Sequence, residues 1–144
     1  MNLFDTASPL DYRYYGNNSK VFEKLKGYVS ESAAIKYQLL VEKTLVEVLA
    51  DKKICSKDVA RDVAKACNMI KAEEVLREEE KTKHNIRALV NCIRNRVSNK
   101  SKPYIHFTAT SNDIISTSEA LRLNLFNPEV NGISFWKTVL QVSM

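Results

Sequence analysis

Apolar residues recur along most of this chain at the three- and four-residue spacing that is typical of amphipathic helices. The clearest run follows Ser30, a residue type that commonly caps helix N-termini, and it predicts a helix of about five turns. The residues predicted to form its inner face are Ala33, Ala34, Tyr37, Leu40, Val41, Leu45, Val48 and Leu49.

Shorter runs on both sides predict further helices, so the pattern indicates an all-α fold. One helix is predicted before Ser30, one after a second cap at Ser56, one over Ala72–Glu80, one over Asn85–Val97, and one that begins near Thr110. Tyr104–Phe107 reads instead as a short extended piece after Pro103. Inner faces are predicted for four of these helices. They are Val21, Phe22, Leu25 and Val29 before Ser30; Val59, Ala60, Val63, Ala64 and Cys67 after Ser56; Ile86, Leu89, Val90 and Ile93 within Asn85–Val97; and Ile114, Ile115, Ser118, Leu121 and Leu125 after Thr110.

Composition narrows the class of protein further. A length of 144 residues suits one domain, and three glycines and three prolines argue against a turn-rich β-sandwich. The most apolar stretch, 32–50, is interrupted by charges, so we expect no membrane span, and the first fifteen residues have no apolar signal region. Three widely spaced cysteines without a C-x-x-C pair predict neither a zinc site nor a disulfide framework, and they favour a cytoplasmic protein.

The net charge of +5 is concentrated in one window. Residues 81–102 contain seven bases and no acid, which favours an anionic neighbour: a small molecule, a nucleic acid or an acidic partner surface. An acidic segment elsewhere in the chain could also offset this basic window. Because no aromatic residues are interleaved with the bases, we expect no nucleic-acid binding.

Two short segments carry candidate chemistry. Thr110 and Asp113 have the spacing of a capping box, and a helix N-terminus favours a carboxylate or phosphate. His84 lies in a polar, basic stretch, which suits a group that contacts ligand or handles protons. His106 lies between Ile105 and Phe107, where a packed or hydrogen-bonded structural role is expected.

Three segments of the chain, at 8–14, 80–85 and 105–114, resemble segments of the fumarase/aspartase superfamily, and among its members of the adenylosuccinate lyase family. Residues 105–114, IHFTATSNDI, are similar to the T-S-N-D segment of the superfamily. Residues 8–14, SPLDYRY, and 80–85, EKTKHN, resemble the opening segment and the E-x-x-T-[RK]-H-D segment of the narrower family. A T-S-N-D segment alone would leave argininosuccinate lyase and fumarase open, and the other two segments favour adenylosuccinate lyase.

The resemblance implies an activity and a set of site residues. The family cleaves adenylosuccinate to AMP and fumarate, and the related succinyl-carboxamide purine intermediate, by β-elimination without a metal or organic cofactor. By match, His84 is the catalytic candidate near the succinyl group. The implied substrate-binding residues are Arg13, Tyr14, Lys83, His84, Asn85, Thr110 and Ser111. Lys83 replaces a frequent arginine and Asn85 a usual aspartate, so these two positions depart from the family pattern.

The resemblance also predicts the organisation of the chain. It implies an extended segment with a nucleotide-binding motif at 1–18, a helical N-terminal lyase domain at 19–126, and a divergent tail at 127–144. Most of the superfamily's central long-helix bundle is lacking, as are the T-H-x-x-x-A-x-P-T and G-S-S-x-M-P-x-K-x-N segments that carry the family's catalytic histidine and serine. Family members are homo-oligomers whose active sites combine segments of three subunits. We therefore expect these 144 residues to be inactive alone. The alternatives are a non-catalytic helical binding module and a fragment of another superfamily lyase.

Overall fold

A computed structural model describes residues 26–126, and this part of the chain is all-α, as predicted. Residues 26–29 are helical, and about 77% of the described residues lie in helices, with no strand among them. The predictions for 1–18 and 127–144 lie outside the described residues. The elements are α1 Glu31–Asp51, α2 Lys57–Met69, α3 Ala72–Thr82, α4 Asn85–Arg94, a 3-10 turn Lys102–Tyr104, and α5 Ser111–Phe126.

Helix α1 is the element around which the others assemble. It packs against α2 on one side and against α5 on another, and it also contacts α3. Helices α3 and α4 form an antiparallel hairpin, and α4 in turn contacts α2 and α5. This arrangement brings the start of α4 and the start of α5 to the same region of the molecule.

The core is formed by aliphatic side chains from all five helices. Burial of such side chains supplies most of the free energy that holds helices of this length together. The most deeply buried are Val46 of α1, Val63 of α2, Val75 of α3, Ile86, Leu89 and Ile93 of α4, and Ile114 of α5. The inner faces predicted for α2 and α4 are confirmed, except that Ala64 is only half-buried.

The inner face predicted for α1 is partly wrong. Ala33, Tyr37 and Leu49 are buried as expected, but Leu40 is 39% exposed and Val48 is 47% exposed. The helix instead buries Ile35, Leu39, Gln38, Glu42, Val46 and Ala50. Apolar residues lie on both sides of α1, and the packing of α2 and α5 decides which side becomes core.

The helix starts follow the predicted caps. The Ser30 hydroxyl accepts a hydrogen bond from the Ala33 N–H at 3.1 Å, and Ser56 accepts one from Val59 at 3.4 Å. Each bond satisfies an N–H that has no partner within the helix.

The connection between α4 and α5 differs from the extended piece predicted at Tyr104–Phe107. Lys102–Tyr104 forms a 3-10 turn instead, because the fixed φ of Pro103 suits its first positions. The Arg94 guanidinium donates to the Lys102 carbonyl from Nε at 3.4 Å and holds the turn against α4. At the start of the same connection, one Asp62 oxygen accepts hydrogen bonds from Ser98 and Ser101.

Candidate substrate-binding site

The junction between α3 and α4 places His84 at the start of a helix. Helix α3 ends at Thr82, and its C-cap Lys83 has a left-handed backbone (φ 52°) that reverses the chain and allows α4 to begin two residues later. The Thr82 hydroxyl donates to the His84 carbonyl at 3.0 Å, so the turn is held on both sides of Lys83. His84 is therefore fixed at the N-cap position.

The imidazole of His84 is itself the cap. Its Nδ1 accepts a hydrogen bond from the Arg87 N–H at 3.3 Å. An accepting Nδ1 carries no proton, so the neutral ring carries its proton on Nε2. Among the described residues Nε2 has no hydrogen-bond partner, which leaves an N–H free to contact a ligand.

The start of α5 supplies the second side of the site. Thr110 and Asp113 form the predicted capping box: the Asp113 carboxylate accepts from the Thr110 N–H at 2.7 Å and hydroxyl at 2.8 Å. The Thr110 hydroxyl in turn accepts from the Asp113 N–H at 3.3 Å. Because these bonds stabilise the carboxylate, the pKa of Asp113 lies below its usual value. The negative charge of Asp113 therefore already occupies part of this helix start. The Ser111 hydroxyl, in contrast, forms no hydrogen bond with a described residue.

His106 lies on the connection that leads into α5. Its backbone N–H donates to Glu42 Oε2 at 3.0 Å, and its ring Nδ1 lies 2.6 Å from Glu42 Oε1. The expected hydrogen-bonded role of His106 is confirmed. The side chain also has one face toward the same space as His84 and Ser111.

These side chains line one pocket of about 280 Å³ at the starts of α4 and α5. His84, Arg87, His106 and Ser111 are its polar members, and Ile86 and Val90 form an apolar wall. A cation, two imidazoles and a hydroxyl are suited to an anionic ligand that also carries an apolar or aromatic part.

The structure brings together only some of the residues implied by the family resemblance. His84 and Ser111 line the pocket, whereas Lys83, Asn85 and Thr110 are exposed and do not. Arg13 and Tyr14 lie outside the described residues, so their predicted contacts stay predictions.

Two pocket residues were missed by sequence reasoning. Arg87 follows His84 by three positions, the spacing that places both on one side of a helix, and this spacing could have indicated it. The apolar neighbours of His106 in the sequence predict a structural role. Its partner Glu42 lies 64 residues away in the sequence, so no local pattern indicates that the two side chains are in contact.

The basic window at 81–102 is partly offset by acidic residues of α3. Lys81 forms an ion pair with Glu78 at 3.0 Å, and Arg96 forms a bidentate pair with Glu74. The alternative of an offsetting acidic segment therefore holds for these two bases. Arg87 has no ion pair with a described residue, and its guanidinium is the cation that remains for a ligand in the pocket.

Metal and thiol chemistry are not indicated within residues 26–126. No group of three or more histidine, cysteine, aspartate or glutamate side chains there could hold a metal ion. The three cysteines are free thiols, and burial raises the pKa of Cys67 to about 12 and that of Cys92 to about 11. Thiols with such values are poor nucleophiles. None of the helices described has the length and apolarity to cross a membrane.

Comparison with known proteins finds adenylosuccinate lyases. The enzyme of Archaeoglobus fulgidus is 37% identical over 115 residues, which cover 80% of this chain and 24% of that protein. The enzyme of Methanocaldococcus jannaschii is 32% identical over 116 residues, covering 78% of the chain and 24% of the relative. The enzyme of Buchnera aphidicola is 29% identical, and its match covers 97% of the chain and 33% of the relative. No family model matches the chain, and no solved structure matches it significantly.

The all-α fold agrees with the fold expected for a domain of the fumarase/aspartase type. Within that class, the chain is a homologue of adenylosuccinate lyase over about 80% of its length. It spans only about a quarter of the length of most curated relatives that it matches.

Proposed function

We propose that this chain is the N-terminal part of an adenylosuccinate lyase and that its pocket binds the nucleotide substrate of that enzyme. The observation that carries the proposal is the convergence of His84 and Ser111, from two separate motifs of the family, on one pocket. Adenylosuccinate has a phosphate and two carboxylates, which the unpaired Arg87 guanidinium and the Nε2–H donor of His84 complement.

Each polar side chain has a definite role in this proposal. Arg87 contacts a carboxylate or the phosphate, and Ser111 donates its hydroxyl to a succinyl carboxylate. His84 donates from Nε2 to the reacting succinyl part. β-Elimination builds negative charge on a carboxylate in the transition state, and fixed donors stabilise that charge without reorganisation. The polar groups that Arg13 and Tyr14 would add are implied by the family resemblance.

The binding proposal is tested by calorimetry on the 144-residue chain with adenylosuccinate and with AMP. Arg87→Ala and His84→Ala should each weaken adenylosuccinate binding by about tenfold or more, the usual effect of losing a charge-assisted hydrogen bond. Lys65→Ala is the matched control, because Lys65 is an exposed cation of α2 outside the pocket. Equal weakening in all three variants would contradict the proposal, because it would indicate non-specific attraction between the charges of the chain and the ligand.

We further propose that these 144 residues do not turn over the substrate alone. The two family segments that carry the catalytic serine and the acid histidine do not occur in the sequence. Adenylosuccinate binding without fumarate release is therefore the expected result. Fumarate release above that of a His84→Ala control would overturn this part of the proposal.

A further inference from the structure

Glu42 is a carboxylate in the interior of the molecule. It lies in the middle of α1, its side chain is 0% exposed, and burial raises its pKa while its bonds to His106 oppose that rise. A buried carboxylate is costly unless both oxygens find donors. Both oxygens of Glu42 are used by one residue, His106.

The two bonds fix both the backbone and the ring of His106. The backbone has φ 59°, in the left-handed region that a histidine adopts at a cost of about 1 kcal/mol. The 3.0 Å bond from the His106 N–H to Oε2 holds that conformation. The 2.6 Å contact between Nδ1 and Oε1 holds the ring, and it leaves Nε2 as the nitrogen available to the pocket.

The two histidines of the pocket are therefore held in opposite ways. In His84, Nδ1 accepts a bond from a backbone N–H and the proton lies on Nε2. In His106, Nδ1 faces a carboxylate, and a ring nitrogen that faces a carboxylate is normally the protonated one. The pocket then contains one imidazole donor and one imidazole acceptor.

We propose that Glu42 is a positioning residue that fixes His106 in the Nδ1–H tautomer, so that its Nε2 accepts a hydrogen bond from the ligand. The role in substrate binding rests on the proposed function, but the tautomer itself is a property of the chain without ligand. A nucleotide carries ribose hydroxyl and purine N–H donors. Arg87 and the Nε2–H of His84 can only donate, so Nε2 of His106 supplies an acceptor beside the Ser111 hydroxyl.

The test is a long-range ¹H–¹⁵N correlation spectrum of the ligand-free, ¹⁵N-labelled 144-residue chain near neutral pH. The sequence has two histidines, so His84→Ala assigns both ring signals. The expected result is a protonated Nδ1 and bare Nε2 in His106, with the reverse in neutral His84. A bare Nδ1 in neutral His106, or a ring protonated on both nitrogens near neutral pH, would overturn the proposal, since Nε2 would then donate instead of accepting.

Glu42→Gln tests the positioning directly. In the glutamate the backbone N–H and Nδ1 contact different oxygens, and glutamine has only one. If the backbone bond to that oxygen is retained, the amide NH₂ takes the place of Oε1 and faces Nδ1. We expect His106 to shift toward the Nε2–H tautomer while His84 is unchanged. The matched control is Glu47→Gln, an exposed ion-pair position on the same helix, which should leave both histidines unchanged.

An unchanged His106 tautomer in a folded Glu42→Gln variant would contradict the positioning role. If that variant does not fold, the spectrum of the unaltered chain still shows which ring nitrogen of His106 is protonated. Should the tautomers be as expected while the chain fails to bind adenylosuccinate, the proposed function fails and the assignment of Glu42 stands.

Discussion

Thr110 and Ser111 are neighbours with different tasks. The family resemblance implies that both bind a succinyl carboxylate, but the Thr110 hydroxyl is already engaged with Asp113 in the capping box. The Ser111 hydroxyl has no partner among the described residues and lines the pocket. The two positions therefore separate helix capping from ligand binding.

We expect Thr110→Ala to lower the free energy of unfolding by about 1 kcal/mol, the usual cost of losing an N-cap, with little effect on ligand affinity. Ser111→Ala should do the opposite and weaken adenylosuccinate binding while stability is unchanged. Denaturant unfolding and calorimetry on both variants measure the two effects. If Thr110→Ala weakened binding as much as Ser111→Ala does, the division of tasks would be wrong.

Asp62 holds the connection after α4 through three hydrogen bonds to one of its oxygens. The Ser98 N–H and hydroxyl donate at 3.0 and 2.8 Å, and the fully buried Ser101 hydroxyl donates at 2.6 Å. Asp62→Ala should lower the free energy of unfolding by about 1 kcal/mol, because the Ser98 and Ser101 hydroxyls both lose their carboxylate acceptor. Asp58→Ala, which removes an exposed i,i+3 ion pair from the same helix, should change stability little.

The contribution of Asp62 should depend on pH with a definite sign. The Ser101 and Ser98 bonds hold the pKa of Asp62 below its usual value of 3.8. The unfolded chain then binds a proton at a higher pH than the folded chain does, so the stabilisation is present above about pH 4 and is lost in more acidic solution. The stability difference between the unaltered chain and Asp62→Asn should shrink as pH falls through this range. A difference that grew in acid would contradict the assignment.

At the scale of elements, not every residue of a predicted inner face is buried, since Leu125 of α5 is 47% exposed. The sequence was sufficient where a single apolar face packs against neighbouring helices. Helix α4 shows this clearly, since Ile86, Leu89 and Ile93 recur on one side and are all buried. Helix α1 is apolar on both sides, so spacing alone could not select Leu39 over Leu40. The choice follows from contacts with α2 and α5, and it places Glu42, a residue type usually found outside, in the interior.

Alanine substitution at these adjacent leucines tests which face of α1 is core. Leu39 is 6% exposed and Leu40 39% exposed. Leu39→Ala should therefore lower the free energy of unfolding by about 2–4 kcal/mol, and Leu40→Ala by less than about 1 kcal/mol. Chemical denaturation measures both values, and the reverse order would support the face predicted from spacing.

The residues of the candidate site also differ in whether the sequence could predict them. His84 and Ser111 could be predicted because each lies in a short segment with a family pattern. For Arg87 the only local signal is its three-residue spacing from His84. The role of His106 could not be predicted, because it depends on where distant helix starts meet. The buried Glu42, which holds His106, is 64 residues away in sequence and carries no local signal.

At the scale of the molecule, α1 and α5 leave an apolar groove between them. Leu45 and Leu121 line it, and Leu40 and Val48 are its exposed members. The chain spans about a quarter of the length of most matched relatives. The family resemblance implies a tetramer built around a central long-helix bundle, most of which we expect these 144 residues to lack. We therefore predict that they form no lyase-like tetramer. Sedimentation equilibrium measures this directly, and a mass of four chains with lyase-like geometry would contradict it.

The most direct measurement is a chemical-shift titration of the ¹⁵N-labelled chain with adenylosuccinate. The predicted result is a saturable set of shifts centred on His84, Arg87, His106 and Ser111, without fumarate in the sample. Shifts centred elsewhere on residues 26–126, or none at all, would contradict a substrate-binding pocket at the starts of α4 and α5.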